Sequence, residues 1–340
     1  MKIKFTKLPT TDGTIKVSLD GGTTFTDFNV SDVFESGITL DDNQMFDKIR
    51  IKGKANVLKN LEIISSIDVE QDYNLSGNFI FDTSESKVFS PKAITSFTIL
   101  SDVDVTSIGK DAFNDWTCLK CITIPDSITS IGSHAFYGCT SLESINIPEG
   151  LTSISDHAFK YCENLTGINF PNSLTEIGDY SFESCKSLKN VNIPEGVSII
   201  GEYTFFNCTG LTTVNIANGV TTIKTYAFNG CKNLINLSIP DSVASIGDSA
   251  FSGCDSLTSV TIPKGVTKIN HSAFYDCDNL ASVTIHDGVT SIDVGAFSWC
   301  VNLKTINYKG TEEQWNAINK KAGWNDNCPS DMVINYDYQG

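Results

Sequence analysis

Eight of the eleven cysteines recur every 23 residues: Cys139, Cys162, Cys185, Cys208, Cys231, Cys254, Cys277 and Cys300. Thiols in such a series could form disulfides, ligate a metal or carry redox chemistry. The spacing argues for none of these. If each unit of 23 residues is one coil of a stack, neighbouring coils lie ~4.8 Å apart where their strands pair. Equivalent side chains then run parallel, a poor orientation for an S–S bond. The column is predicted to be reduced and buried, each thiol acting as a small hydrophobe. Trp116 holds the same place in the first unit, which is a packing substitution and not a chemical one. Cys118 and Cys121 form one isolated C-x-x-C, without the second pair that a zinc site calls for. Cys328 stands apart near the end.

Other reactive groups are sparse. There are four histidines, His134, His157, His271 and His286. The sequence holds no H-E-x-x-H, P-loop, G-x-S-x-G or G-x-G-x-x-G motif. Gly247-Asp-Ser249 is the ordinary turn of its unit and not a hydrolase nucleophile. No carboxylate spacing favours an acid–base pair. The chain is therefore read as a non-enzyme with no cofactor and no metal. The better candidates are surface columns. His134, His157, Tyr180, Tyr203 and Tyr226 fall at one position of five successive units. Such rings can stack for stability, at ~0.5–1.5 kcal/mol per pair. They can equally form a contact stripe, because aromatics are enriched at interface hot spots. A His134–His157 metal pair would need further ligands that the sequence does not supply.

What positions these columns is a longer period. Nine phenylalanines, from Phe113 through Phe136, Phe159, Phe182, Phe205, Phe228, Phe251 and Phe274 to Phe297, keep the interval of 23. So do nine isoleucines from Ile108 to Ile292. Units this short cannot bury their own apolar face, so they must stack and share one core. Within a unit, Leu142, Ile145 and Ile147 mark a short strand with one face buried. Pro148 and Gly150 end it. Leu151 and Ile154 supply two more inward residues. A short helical segment is predicted from Asp156 to Cys162 with Asp156 as its N-cap, and Ser133, Asp179 and Asp248 take that role in other units.

The phrase Val243-Ala-Ser-Ile-Gly-Asp-Ser-Ala-Phe-Ser-Gly-Cys-Asp-Ser-Leu-Thr-Ser-Val-Thr-Ile-Pro263 resembles the BspA-like class of leucine-rich repeats. The likeness runs through all nine units. It implies an α/β solenoid, a leucine-rich repeat superhelix of nine repeats of 23 residues. It also implies a surface-displayed adhesin or ligand-binding platform. In leucine-rich repeats the outward strand residues pave the concave side; here those are Asn146, Asn169, Asn192 and Asn215. That lining is small, polar and almost uncharged. It suits weak hydrogen bonds to a glycan or an extended chain, and equally a plain solvated sheet.

Four segments follow. Residues 1–64 read as a small, mainly-β domain and attachment module, from alternating runs such as Ile15-Lys-Val-Ser-Leu and a hairpin pattern at Ser18–Phe25. Residues 65–104 read as an N-terminal cap, 105–309 as the nine repeats and 310–340 as a C-terminal cap. In the last, Thr311 and Gln314 form a capping box, Trp315, Ile318 and Ala322 share a helical face, and Gly323 ends the helix.

A net charge of −16 with a single arginine, Arg50, excludes a general nucleic-acid binder. No stretch is long and apolar enough for membrane insertion. The first residues lack the apolar run of a secretory leader. The chain is expected to stay inside the cell, to leave by another route, or to have lost a leader; an extracellular or virion surface is favoured over the cytoplasm. The expected partner is a protein or glycan on a cell surface. The competing expectation is a structural component of a larger assembly, such as a phage virion, docked through residues 1–64.

Overall fold

The structure, a computed structural model, describes residues 106–339 and, before them, only the backbone of short strands such as Lys2–Phe5 and Ser96–Thr98. The rest of the domain predicted at 1–64 and of the cap predicted at 65–104 lies outside the described residues. From residue 106 the chain winds into a stack of coils, numbered by phenylalanine from coil 1 at Phe113 to coil 9 at Phe297; coil 5, for example, runs from Asn190 through Ile200 to the turns around Phe205. Every coil contributes one run of turns and, except where residues 167–170 form no strand, two short parallel strands.

The strands keep the register of 23. In one column Asn190 pairs with Thr213, Val191 with Val214 and Ile193 with Ile216. In the other Ile131 pairs with Ile108 and Ile154. Outward and inward residues alternate, as in the exposed–buried pattern of Asn190–Ile193.

Between the strands runs the core. All nine phenylalanines are fully buried. Their rings stack on one another with centroids 5.0–5.6 Å apart and planes within 2–11°. Trp116 closes the first ring edge-on at 4.9 Å. Trp324 closes the last at 6.2 Å.

The segment expected to be helical is not a helix. In all nine coils the residues two before and two after the phenylalanine have positive φ: His157 and Tyr161 flank Phe159 at 57° and 65°, Gly295 and Trp299 flank Phe297 at 70° and 64°. A helix would close every N–H on its own chain. Here alternate N–H groups do so, as Ala158 N–H does to Ser155 O and Lys160 N–H to His157 O. The others cross to the next coil: His157 to Asp179 O, Phe159 to Ser181 O, Tyr161 to Glu183 O. The turns thus form a third parallel ladder. Asp156 is accordingly not a helix N-cap; its Oδ1 accepts from Asp179 N–H one coil on, at 2.9 Å.

The turn ladder is continuous through every coil, but the strand columns are not. Among the described residues neither Asn190–Ile193 nor Ile199–Ile200 pairs with a strand before it, so no strand pairing joins coil 4, which ends in the turns of Phe182, to coil 5, which begins at Asn190. Ser259–Thr261 and Lys268–Ile269 likewise leave coil 8 unpaired with coil 7. Side chains bridge the second gap, where Asn270 Nδ2 donates to Ile246 O at 2.6 Å and Asp241 Oδ1 accepts from Lys264 N–H at 3.2 Å.

At the far end one α-helix, Glu312–Ala317, carries the predicted capping box of Thr311 and Gln314. It stops sooner than the apolar spacing suggested. Trp315 and Ile318 are buried, but Ile318 is already extended and Ala322 is exposed. Gly323, at φ 75°, belongs to the turn ladder of a tenth coil and does not end the helix. Gly295 N–H donates to its carbonyl.

Candidate functional site

The turn ladder sets the geometry of the aromatic stripe. His134, His157, Tyr180, Tyr203 and Tyr226 all sit two residues before a phenylalanine, in the left-handed region. That backbone turns the side chain off the core while the next residue, such as Ala135 or Ala158, points in and is fully buried. The five rings stack face to face. Centroids are 4.6 Å apart for His134–His157 and 4.7 Å for each later pair, with planes within 7–25°. All five are half-buried. The structure therefore brings together every residue predicted for the stripe.

It also adds three rings. Tyr137 meets His134 at 5.4 Å and Tyr161 edge-on at 5.4 Å. Phe206 meets Tyr203 at 5.3 Å. These lie three or four positions along from the stripe residue of their coil, in columns that are not aromatic throughout. That interruption hid them from a search for periodic residues. Because neighbours cover the ring faces, the stripe presents ring edges to solvent; His134 Nδ1 is bonded to Ser133 Oγ at 2.8 Å and His157 Nδ1 is buried.

Under the stripe lies an ion pair. Lys160 Nζ is 2.7 Å from Glu183 Oε2, with both side chains largely shielded. The ammonium lies 5.1 Å from the Tyr161 ring centre and 5.2 Å from that of Tyr180. Burial works to lower the Lys160 pKa, but the hydrogen bond and charge of Glu183 outweigh it and the net shift is upward. His157 is shifted the other way. Burial, then the neighbouring His134 and Lys160, lower it from the ordinary 6.5 against the opposing Asp156 and Glu183. A depressed histidine pKa means that the unfolded chain binds the proton more tightly. Stability from the neutral His157 is complete above pH 6.5 and falls as the pH drops below it. Replacing His157 by Tyr, which the same backbone position accepts in three later coils, is expected to shrink the fall in melting temperature between pH 6.5 and 5. Parallel melting curves of the two proteins check this.

The asparagine column is exposed throughout, but it is not one ladder. Asn215 Nδ2 donates to Asn192 Oδ1 at 2.8 Å. Asn146 turns to the preceding coil, donating to Ile124 O at 3.2 Å and accepting from Ile124 N–H at 3.3 Å. Asn169 stands in residues 167–170, which form no strand pair. The sequence column missed a further pair at the far end, where Asn335 Nδ2 donates to Asn307 Oδ1 at 2.9 Å; the helix inserted between them breaks the period.

The thiol column is as expected. Cys139 to Cys300 are free and buried. Each S–H donates to the carbonyl of the phenylalanine one coil back, at 3.0–3.5 Å. Cys328, out of period, joins the column beneath Cys300 and donates to Phe297 O at 3.1 Å. Cys118 is half-buried and Cys121 is exposed, and neither is in a disulfide.

The chain matches the BspA type leucine rich repeat region in six copies, over residues 82–212 and 199–322. The chain belongs to the BspA-type leucine-rich repeat family. Among solved structures, this BspA-type chain is similar to a leucine-rich repeat protein from Bacteroides ovatus, at 25% identity and TM-score 0.60, over 88% of this chain and 77% of that one. It is similar to a leucine rich repeat protein of T. pallidum at 31% identity and TM-score 0.46, over 64% of this chain and 86% of that one. A leucine rich cell surface protein from Faecalibacterium prausnitzii matches at 24% identity and TM-score 0.41, over 84% and 96%. No curated protein matches. Among the described residues no helix is long and apolar enough to cross a membrane.

Proposed function

We propose that this BspA-type chain is a non-enzymatic recognition and adhesion protein displayed on a surface, and that the stripe from His134 to Tyr226 is its contact surface for a protein partner. The observation that carries this reading is the continuous, half-exposed ring cluster across five coils. Its rings are already fixed by their neighbours, so they lose little rotamer freedom on binding. Tyrosines offer large contact area with a polar tip, the combination common at protein interfaces. Covered ring faces suit a shallow protein surface better than a sugar, which stacks on an open face. The family favours a scaffold that binds proteins over one that catalyses.

Tyr180→Ser with Tyr203→Ser tests it, because serine stands at this left-handed position in Ser249 and Ser272. Immobilised wild-type and variant proteins are exposed to a cell-surface protein extract, and the affinity of the captured partner is measured for both. The double variant is expected to lose at least ~1–2 kcal/mol of binding per hot spot. Its folded state should weaken by ~0.5–1.5 kcal/mol for each stacked pair removed. Unchanged affinity would shift the contact to the face of Asn146, Asn169, Asn192 and Asn215.

A further inference from the structure

A second surface lies at the other end of the turn ladder. Three of the six large apolar side chains exposed among the described residues fall within eight residues of coil 9: Val294 at 44%, Trp299 at 47% and Val301 at 45%. Each occupies a position that is polar or glycine in most coils. Trp299 stands where other coils have Gly138, Gly230 or Gly253, and Val301 where they have Thr117, Thr140 or Thr209. Three columns turn apolar together, and a tenth coil follows, so the patch is not simply the end of the stack. Trp299 N–H donates to Asp326 O in that coil.

The patch is bordered by carboxylates. Asp276 directly precedes Trp299 in its column; Asp278 and Asp255 precede Val301 in theirs. Lys232 lies 3.7 Å from Asp255, and among the described residues Asp276 and Asp278 take part in no ion pair. Burial raises the Asp255 carboxyl, Lys232 opposes this, and Asp278 and Asp276 add to it. The ladder thus sets an exposed indole and two valines beside Asp276 and Asp278, which take part in no ion pair among the described residues.

We infer that this face of coil 9, centred on Trp299, Val301, Asp276 and Asp278, docks a basic, partly apolar segment of a partner protein. The indole offers a face to a Lys or Arg side chain, the aspartates complement its charge, and the valines take the apolar residues between. The surface is separate from the aromatic stripe.

The probe is a short fluorescein-labelled peptide of alternating Lys and Leu, followed by fluorescence anisotropy. Two variants are compared with the full wild-type chain: Trp299→Gly with Val301→Thr, and Asp276→Asn with Asp278→Asn. The first pair installs residues that other coils already use; the second keeps shape and removes charge. Each is expected to weaken binding at least ~10-fold, about 1.4 kcal/mol. Glu143→Gln with Glu176→Gln, a charge change elsewhere, should leave binding unaltered, as should Tyr180→Ser with Tyr203→Ser. A Ser-Leu peptide binding as well as the Lys-Leu peptide would overturn the inference. So would retained affinity in either coil 9 variant. Sedimentation that shows wild-type self-association abolished by the Trp299 variant would assign the face to a second copy instead. If the Trp299 variant does not fold, the Asp276/Asp278 variant decides alone.

Discussion

Truncating Phe205 to Ala is expected to destabilise the protein by ~3–5 kcal/mol, lowering the melting midpoint by on the order of 10 °C. Phe205 is fully buried at the middle of the ring column. Its ring stacks on Phe182 at 5.4 Å and on Phe228 at 5.2 Å. Removing it opens a cavity and takes a face from each neighbour. Its carbonyl would remain, accepting from the Cys231 thiol at 3.3 Å, so the loss is one of packing and not of hydrogen bonding. In a stack where each coil touches only its neighbours, the damage should spread to coils 4 and 6. Thermal melts and native-state hydrogen exchange measure both effects. An unchanged midpoint would mean that Phe205 does not support the core.

The thiols give the second large effect. In the native protein a maleimide reagent is expected to modify Cys121 rapidly and Cys118 and Cys328 more slowly. The eight cysteines of the column should react only after unfolding. Access is closed, since all eight are buried. Chemistry is closed as well. Burial pushes the Cys208 thiol up to about 12, so at pH 8 only about one molecule in ten thousand carries the reactive thiolate there. Burial likewise raises Cys162, Cys185, Cys231 and Cys254 well above the ordinary thiol range. Rapid labelling of most of the column in the folded state, counted by mass spectrometry, would overturn this account.

Much of this architecture is legible in the residues because one period repeats without slippage. An inward position that is always Phe, Ile or Cys announces the core, the strand columns and the stacked stripe together. Local backbone geometry is less legible. Asp156 to Cys162 has a helical spacing of inward residues, yet the chain takes left-handed φ at His157 and Tyr161. Single sequences mark that conformation with glycine or asparagine; here histidine and tyrosine hold it because the inter-coil bonds of the ladder offset its cost. Tyr137, Phe206 and Cys328 were overlooked for the opposite reason. Each belongs to a column only in space, through mixed residue types or an inserted helix. The patch at Trp299 is legible only as a departure: the period makes its polar and glycine counterparts the expectation.

The two places where both strand columns part bear on how this chain can be divided. Every other boundary between coils, severed, would strip paired strands of their partners and leave a row of bare N–H and C=O groups. Between coils 4 and 5, and between coils 7 and 8, those groups already lack a strand neighbour. A shortened protein ending at either place sacrifices the turn ladder, the ring contact and a few bridging hydrogen bonds, such as Lys189 N–H to Thr166 O and Asn270 Nδ2 to Ile246 O, but no paired strand. These two boundaries are therefore where modular excision, splicing or duplication of coils disturbs the backbone least.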